Sequence, residues 1–514
     1  MSRAVGVASL LYGSSILLSR LLGLVREAVI GRTLGNGAEA DAYWAAFVIP
    51  DFLNGLLASG LLSLVFIPLF QRHLAQKDEA AARASFSALF TVVAIAAVVG
   101  TVVLWWATPR VVPWVAPGLD AAGQARLAYL TRIVLPAQIF HILGGLLSAT
   151  LQARERHLLP ALAPLIYVGG IIAGGLLLAN TLGAEGFAWG VLGGSILGPF
   201  GLPLVGALRT GLRWRLSLRH PDVAVWFRRS IPVMLGASVV LVDDWFHKHF
   251  GSELAAGSIS RLQYARTLMR VPLGVFGMAA GIAAFPTLSR MWAEGRTAEA
   301  RGLLTGALRT LWVLVFVAAA GLAVAADDVA RVIWGTQRFS PAELDDIGRY
   351  TALMCLGLWA WSAQLLLARG FYAAGRTWAP TVLGTAITVA GYPMYAVLAH
   401  GWGGEGLAVA SSVALAVYCI ALAFYLARLY GVELLAPLGD GLVRMTLAGA
   451  AGWAAGTGVD MVLPAWPALI HGTVAGGVAC GVTLAAAHLL GVAEVKAVVA
   501  KVSRRLPGRA RRAG

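Results

Sequence analysis

Runs of about twenty apolar residues, separated by short polar turns, recur along nearly the whole chain, and no other feature limits the fold as severely. A run of that length crosses the hydrocarbon of a bilayer as a helix, the one open-ended structure whose backbone groups are all satisfied within the segment. Fourteen candidate spans follow, at roughly 7–33, 41–70, 85–107, 127–152, 158–180, 186–208, 226–250, 259–288, 304–326, 350–369, 378–400, 404–427, 441–463 and 467–491. Several exceed 25 residues, which implies tilt or ends that project into water. The chain is 59% hydrophobic and 13% charged, with mean hydropathy +0.76, too few charges to cover a soluble surface of 514 residues. The expected class is an all-α polytopic membrane protein of about fourteen transmembrane helices.

The N-terminus lacks the small-residue cleavage site of a signal peptide. The net charge of +15 lies in connectors such as QRHLAQKDEAAAR, QARERH, LRTGLRWRLSLRH and SRMWAEGRTAEAR, whereas NTLGAEG, GSELAAGS and HGWGGEG carry no Lys or Arg. That alternation is the positive-inside pattern rather than a nucleic-acid surface, and an even span count puts both termini in the cytoplasm. Residues 327–349 are the exception, mixing Asp327, Asp328, Asp345 and Asp346 with three arginines. Cys355, Cys419 and Cys480 fall in apolar segments and read as small hydrophobes, not disulfides or metal ligands. The last twenty residues read as a basic tail near anionic lipid.

An internal duplication runs through the chain. Arg156 and Arg376 are 220 positions apart, as are Pro160 and Pro380, Glu185 and Glu405, and Gly186 and Gly406. Pro68 with Pro286 and Arg72 with Arg290 repeat at 218. The reading is two pseudo-symmetric six-helix lobes, 1–220 and 221–436, then two further helices in 437–494 and the tail 495–514. An even number of helices per repeat gives both copies one orientation, with a site at their interface.

Ionisable residues inside the spans are costly, about 3 kcal/mol each at the centre, and therefore mark function. Span 1 carries Arg20, Arg26 and Glu27; Arg20 and Glu27 share a face with Gly23, while Arg26 points elsewhere. Span 2 holds Asp41 and Asp51. Span 7 holds Asp243 and Asp244 at i,i+4 from His247 and Lys248. Span 8 places Gln263, Arg266 and Arg270 on one stripe, continued by Gly274, Gly277 and Gly281. Other readings stand beside these. Arg26 and Asp41 are near enough to helix ends to snorkel, and the span 7 pairs fit a solvated cap. His141 fits a helix-contact role, and the glycines fit close packing. Arg20, Arg266 and Arg270 are deeper, and converging arginines call for an anion such as phosphate. No metalloprotease, nucleophile-elbow or phosphate-loop motif stands in a usable context, which argues against an enzyme.

Read together, SRLLGLVREAVIGRTLG, ADAYWAAFVIPDFLNGLLASG and GSISRLQYARTLMRVPLGVFGMAAGIAAFPTLSR resemble the MurJ/MviN family of lipid II flippases, within the multidrug/oligosaccharidyl-lipid/polysaccharide exporter superfamily. The resemblance implies two six-helix lobes and a lipid-facing groove built by two C-terminal helices. It also implies a cationic central cavity that carries an undecaprenyl-pyrophosphate-linked sugar precursor outward by alternating access, for peptidoglycan synthesis. It matches Arg20, Arg26 and Asp41 to family positions, and Gly257, Ser258, Tyr264, Ala265, Pro272 and Gly274 to the helix 8 pattern. It departs where the usual acid-arginine pair becomes Arg266 and Thr267, and where Arg270 replaces an acid. The expected substrate-binding set is Arg20, Arg26, Asp41, Asp51, Gln263, Arg266 and Arg270, with Glu27, Asp243 and Asp244 for ion coupling. No cofactor or metal is expected, only coupling to a monovalent ion or the membrane potential. The protein would act as a monomer in the bacterial cytoplasmic membrane. The competing readings are a flippase for another lipid-linked oligosaccharide, a cation-coupled drug or metabolite exporter, and a non-transporting membrane scaffold.

Overall fold

The computed structural model describes residues 21–497 except 59, 60, 237 and 377, together with Leu18. Arg20 lies outside the described residues, as does the tail from 498 onward. Among the described residues the regular structure is entirely helical, with no strand. Among the described residues seven helical stretches are long and apolar enough to cross a membrane, and the pair Pro341–Cys355 and Leu358–Ala373, bent by 44°, makes an eighth if taken as one broken span. Most of predicted span 1 lies outside the described residues, and the remaining predicted spans fall on helices that are shorter, more polar or interrupted. Apolar side chains such as Val102, Trp106 and Leu177 stand exposed along these helices (59%, 68% and 78%), as lipid-facing surfaces require. The protein is an all-α polytopic membrane protein.

Helices are numbered in chain order: α1 (21–34), α2 (Ala38–Ala45), α3 (Val48–Ala58), α4 (Leu61–Ala75), α5 (Glu79–Val115), α6 (Ala121–Val134), α7 (Ala137–Ala153), α8 (Leu158–Leu182), α9 (Ala184–Ser195), α10 (Leu202–Arg209), α11 (Pro221–Gly236), α12 (Ser238–Gly251), α13 (Ser258–Pro272), α14 (Met278–Ala293), α15 (Thr297–Trp334), α16 (Pro341–Cys355), α17 (Leu358–Ala373), α18 (Trp378–Tyr430), α19 (Leu435–Val462) and α20 (Ala468–Leu489). They form two compact units. The first comprises residues 1–263 with 336–339 and 384–392, and the second comprises 264–335, 340–383 and 393–514. The core of the first unit packs α4, α5, α7 and α11 through Phe66, Phe70, Phe86, Leu146 and Trp226. In the second, α15 is flanked by α16, α17, α19 and α20.

The duplication read from residue spacing reappears in the backbone. Gly183 (φ 59°, ψ −132°) opens α9, and Gly403 (φ 59°, ψ −134°) breaks α18 at the position 220 residues later. Left-handed residues also recur as Glu155 with Gly375, and as Gly211 with Gly431, at the same offset. Lys77 and Gly295 match at 218. The N-caps repeat too: Asp120 caps α6, and Ser340 caps α16 through a reciprocal capping box with Glu343.

Helices α8 and α9 meet backbone to backbone. Gly170 and Gly174 face Gly194 and Gly190, and a Cβ on Gly174 would lie 2.5 Å from the Gly190 Cα. Apolar side chains gain little from leaving lipid, so such small-residue seams carry helix association in membranes. Gly174→Leu should therefore lower the melting temperature of the detergent-purified protein, whereas Gly169→Leu, whose Cβ position is open, should leave it near wild type.

Candidate functional site

Asp41 sits in α2 and is 3% exposed. Its Oδ2 accepts the Gly257 N–H at 2.6 Å and its Oδ1 accepts the Ser260 N–H at 2.8 Å. The first turn of α13 has orphan N–H groups and a positive dipole end, and a carboxylate from a remote helix supplies the cap. Asp41 is thus buried rather than snorkelling. The turn before α13 needs glycine twice over. Gly257 has φ +90°, and a Cβ there would lie 1.8 Å from the Asn36 carbonyl oxygen.

Arg26 pairs with its neighbour Glu27, which is 2% exposed. On α12, Lys248 pairs with Asp244 and donates to the Gln263 Oε1 at 3.5 Å. Asp243, His247 and Lys248 are all buried, so span 7 does not end in a solvated cap. An aromatic group encloses its last turns, where Phe246, His249 and Phe250 pack on Tyr392. Asp51 is half-buried on α3. Arg266 and Arg270 belong to the second unit, where Arg266 is 1% exposed and Arg270 half-buried. A π-helical turn at Leu273–Gly277 interrupts the straight-helix stripe between Arg270 and the glycines. His141 hydrogen-bonds the Ser195 hydroxyl at 2.9 Å and packs edge-on to Tyr167, a helix-contact role. Cys355 and Cys419 are buried.

Residue spacing missed an arginine bridge in the first unit. Arg126 on α6 donates to both Glu39 oxygens, at 3.0 and 2.6 Å, and pairs with Glu185 on α9. The repeated Glu185 and Glu405 were the available signal, since in the second unit Glu405 pairs with Arg349 at 3.2 Å. The Arg126 guanidinium, outweighing the cost of burial, holds the Glu39 carboxyl below its usual range. A depressed folded pKa adds stability above the unfolded value, and that stability is lost as pH falls through the folded one. The melting-temperature gap between wild type and Arg126→Gln should accordingly be widest at neutral pH and narrow as pH falls below the ordinary glutamate value and through the depressed folded one.

The second unit also carries a half-open pocket of about 570 Å³. Its walls come from α15, α16, α17, α18 and α19, with Phe316, Leu356, Trp359 and Trp453 among the apolar side chains and the Arg349–Glu405 pair among the polar ones.

Comparison with known proteins shows where this arrangement belongs. The residue pattern of the family described as "Lipid II flippase MurJ" matches residues 30–459. The chain belongs to the MurJ family. It is 31% identical to the lipid II flippase MurJ of Burkholderia cenocepacia over 367 residues, covering 70% of this chain and 71% of the relative. It is 29% identical to the probable lipid II flippase MurJ of Vibrio cholerae over 426 residues, covering 80% and 81%. The solved structure titled "Lipid II flippase MurJ, inward closed conformation" shares the fold, with TM-score 0.75 at 18% identity over 96% of this chain and all of that one. An inward-facing multidrug resistance MATE family transporter shares it at TM-score 0.66 and 14% identity, over 83% of this chain and 98% of that one. MurJ relatives in bacteria and multiple apolar spans place the protein in the bacterial inner membrane, as a transporter.

The residues of predicted span 8 that the sequence resemblance singled out, on and around α13, divide between turn and core. Gly257 makes the entry turn, and Ser258 caps locally onto the Ala255 carbonyl at 2.6 Å. Tyr264 and Ala265 are fully buried, with Tyr264 stacked on Trp334 at 4.9 Å. Pro272 ends α13 where the π-helical turn begins, as its missing N–H and ring clash require.

Proposed function

We propose that this protein moves lipid II, a polyprenyl-pyrophosphate-linked sugar precursor, from the inner to the outer leaflet by alternating access. The match to the MurJ pattern from residue 30 to residue 459 carries the reading. Arg20, Arg26, Arg266 and Arg270 would grip the pyrophosphate, because guanidinium forks bind phosphate bidentately. Glu27 occupies Arg26 at rest, so an entering phosphate would compete with that carboxylate. Asp41 would act as a strut that fixes α13, and Gln263 and Asp51 would contact the head group. Asp243 and Asp244 would take part in coupling to a monovalent ion or the membrane potential. Both termini would lie in the cytoplasm, the lobes would be 1–220 and 221–436, and the helices of 437–494 would guide the prenyl chain of a monomeric carrier.

The test is complementation of a bacterial host depleted of its own flippase. Wild type should restore growth, and Arg20→Ala and Arg266→Ala should not, with membrane levels matched by immunoblot. Equal rescue by both variants would refute the arginine grip. Drug resistance on expression, lost in Asp41→Asn or Asp243→Asn, would instead favour a cation-coupled exporter.

A further inference from the structure

At the end of the first unit that carries basic connectors, three elements converge on one carboxylate. Asp222, in the first turn of α11, is 2% exposed. Its Oδ1 accepts Arg72 from α4 at 3.0 Å. Its Oδ2 takes His73 Nε2 at 2.8 Å and the Ser85 hydroxyl of α5 at 2.6 Å, with His220 Nδ1 3.6 Å away. An acidic residue in a helix's first turn needs no imidazole, since the helix dipole already favours it. Here two imidazoles stand over the same carboxylate oxygen.

His220 is the informative member. Its Nδ1 accepts the backbone N–H of Asp222 at 3.2 Å, so that nitrogen carries a lone pair. That nitrogen bears no proton and lies 3.6 Å from Oδ2, so a cation beside Oδ2 would take its lone pair in exchange for the Asp222 N–H.

We propose that His73, His220 and Asp222 form a binding site for one transition-metal ion of the zinc class. The three ligand atoms lie within 4.8 Å of one another. Zinc bonds of about 2.0–2.2 Å in a tetrahedron place ligands roughly 3.3–3.6 Å apart, so His220 Nδ1 already stands at that spacing from Oδ2 and His73 Nε2, at 2.8 Å, would move outward. His73 would exchange its Nε2 proton through solvent for one on Nδ1 and turn from donor to ligand, Ser85 would yield its place on Oδ2, and the Asp222 N–H would release the His220 Nδ1 lone pair. Arg72 would keep Oδ1 and hold the carboxylate in orientation, as outer partners of metal ligands do. Its charge opposes a cation, but the guanidinium is on the far oxygen and its side chain is 56% exposed, where solvent screens it. The His73 and His220 side chains are 11% and 17% exposed, which leaves an entry path and room for a water ligand. The ion would tie α4, the 212–220 connector and α11 together, independently of what the protein transports.

The experiment uses full-length protein purified in detergent, stripped with chelator, and titrated with Zn²⁺ by calorimetry and with Co²⁺ by visible absorption. One ion per chain should bind, with Co²⁺ giving the bands of a four-coordinate site. His73→Gln and His220→Gln should each weaken Zn²⁺ binding by about 100-fold while the metal-free melting temperature stays near wild type. His471→Gln serves as control, because Asp328, Asp460 and His471 form a second, more exposed group of potential ligands. That variant should bind as wild type does. Absence of saturable binding, unchanged binding in the His73→Gln/His220→Gln double variant, or loss of binding in His471→Gln would each overturn the proposal.

Discussion

Gly257→Ala is expected to lower the melting temperature of the purified protein sharply and to reduce its accumulation in the membrane. The added Cβ would meet the Asn36 carbonyl oxygen at 1.8 Å, a backbone atom that no side-chain rotation can remove. The backbone at φ +90° also disfavours any residue with a Cβ. Strain of about 1–3 kcal/mol and overpacking of a similar size add to roughly 2–6 kcal/mol. That is a large fraction of the roughly 5–15 kcal/mol that holds a typical domain together. The same turn holds the Gly257 N–H against Asp41, so the substitution also disturbs the cap on α13. Asp41→Ala attacks the junction from the other side, leaving two buried N–H groups without their carboxylate at about 1–3 kcal/mol each. If Gly257→Ala and Asp41→Ala both melt within a degree or two of wild type, the junction is not the structural clamp described here.

Arg26→Ala should abolish growth rescue, and the reason can be separated from instability by a second variant. Glu27 is 2% exposed, and removing the neighbouring guanidinium from a buried carboxylate costs roughly 3 kcal/mol or more. Arg26→Ala alone would therefore fail through stability whether or not Arg26 binds phosphate. Arg26→Ala combined with Glu27→Gln removes the charge imbalance and should recover most of the melting temperature. If Arg26 grips phosphate, that double variant remains unable to rescue growth. Rescue by the stable double variant would show that the Arg26–Glu27 pair matters for folding and not for transport.

Much of the architecture was legible because it is written in local terms. A helix in lipid announces itself by length and hydropathy, and the repeat announced itself by Pro, Arg, Glu and Gly at constant offsets. Gly183 and Gly403 then share a left-handed conformation to within a few degrees, since the same sharp turn must join the same two helices in each copy. The candidate charges were legible as types but not as partners. Asp41 looked like a cavity or interfacial residue, and only the fold shows it capping a helix that begins 217 positions later at Ser258. Arg126 escaped notice because it sits at a span boundary, where a basic residue is ordinary.

Composition and spacing alone determined that this chain is a duplicated bundle of membrane helices with arginines where lipid would not tolerate them unaided. Those properties depend on one helix at a time, through hydrophobic length and the cost of desolvating charge. Which charges pair, which cap a helix and which imidazoles meet over Asp222 was decided only in three dimensions. Electrostatic and hydrogen-bond energies act over a few ångströms. Residues 150 positions apart, such as Arg72 and Asp222, come within that range only once the helices have packed.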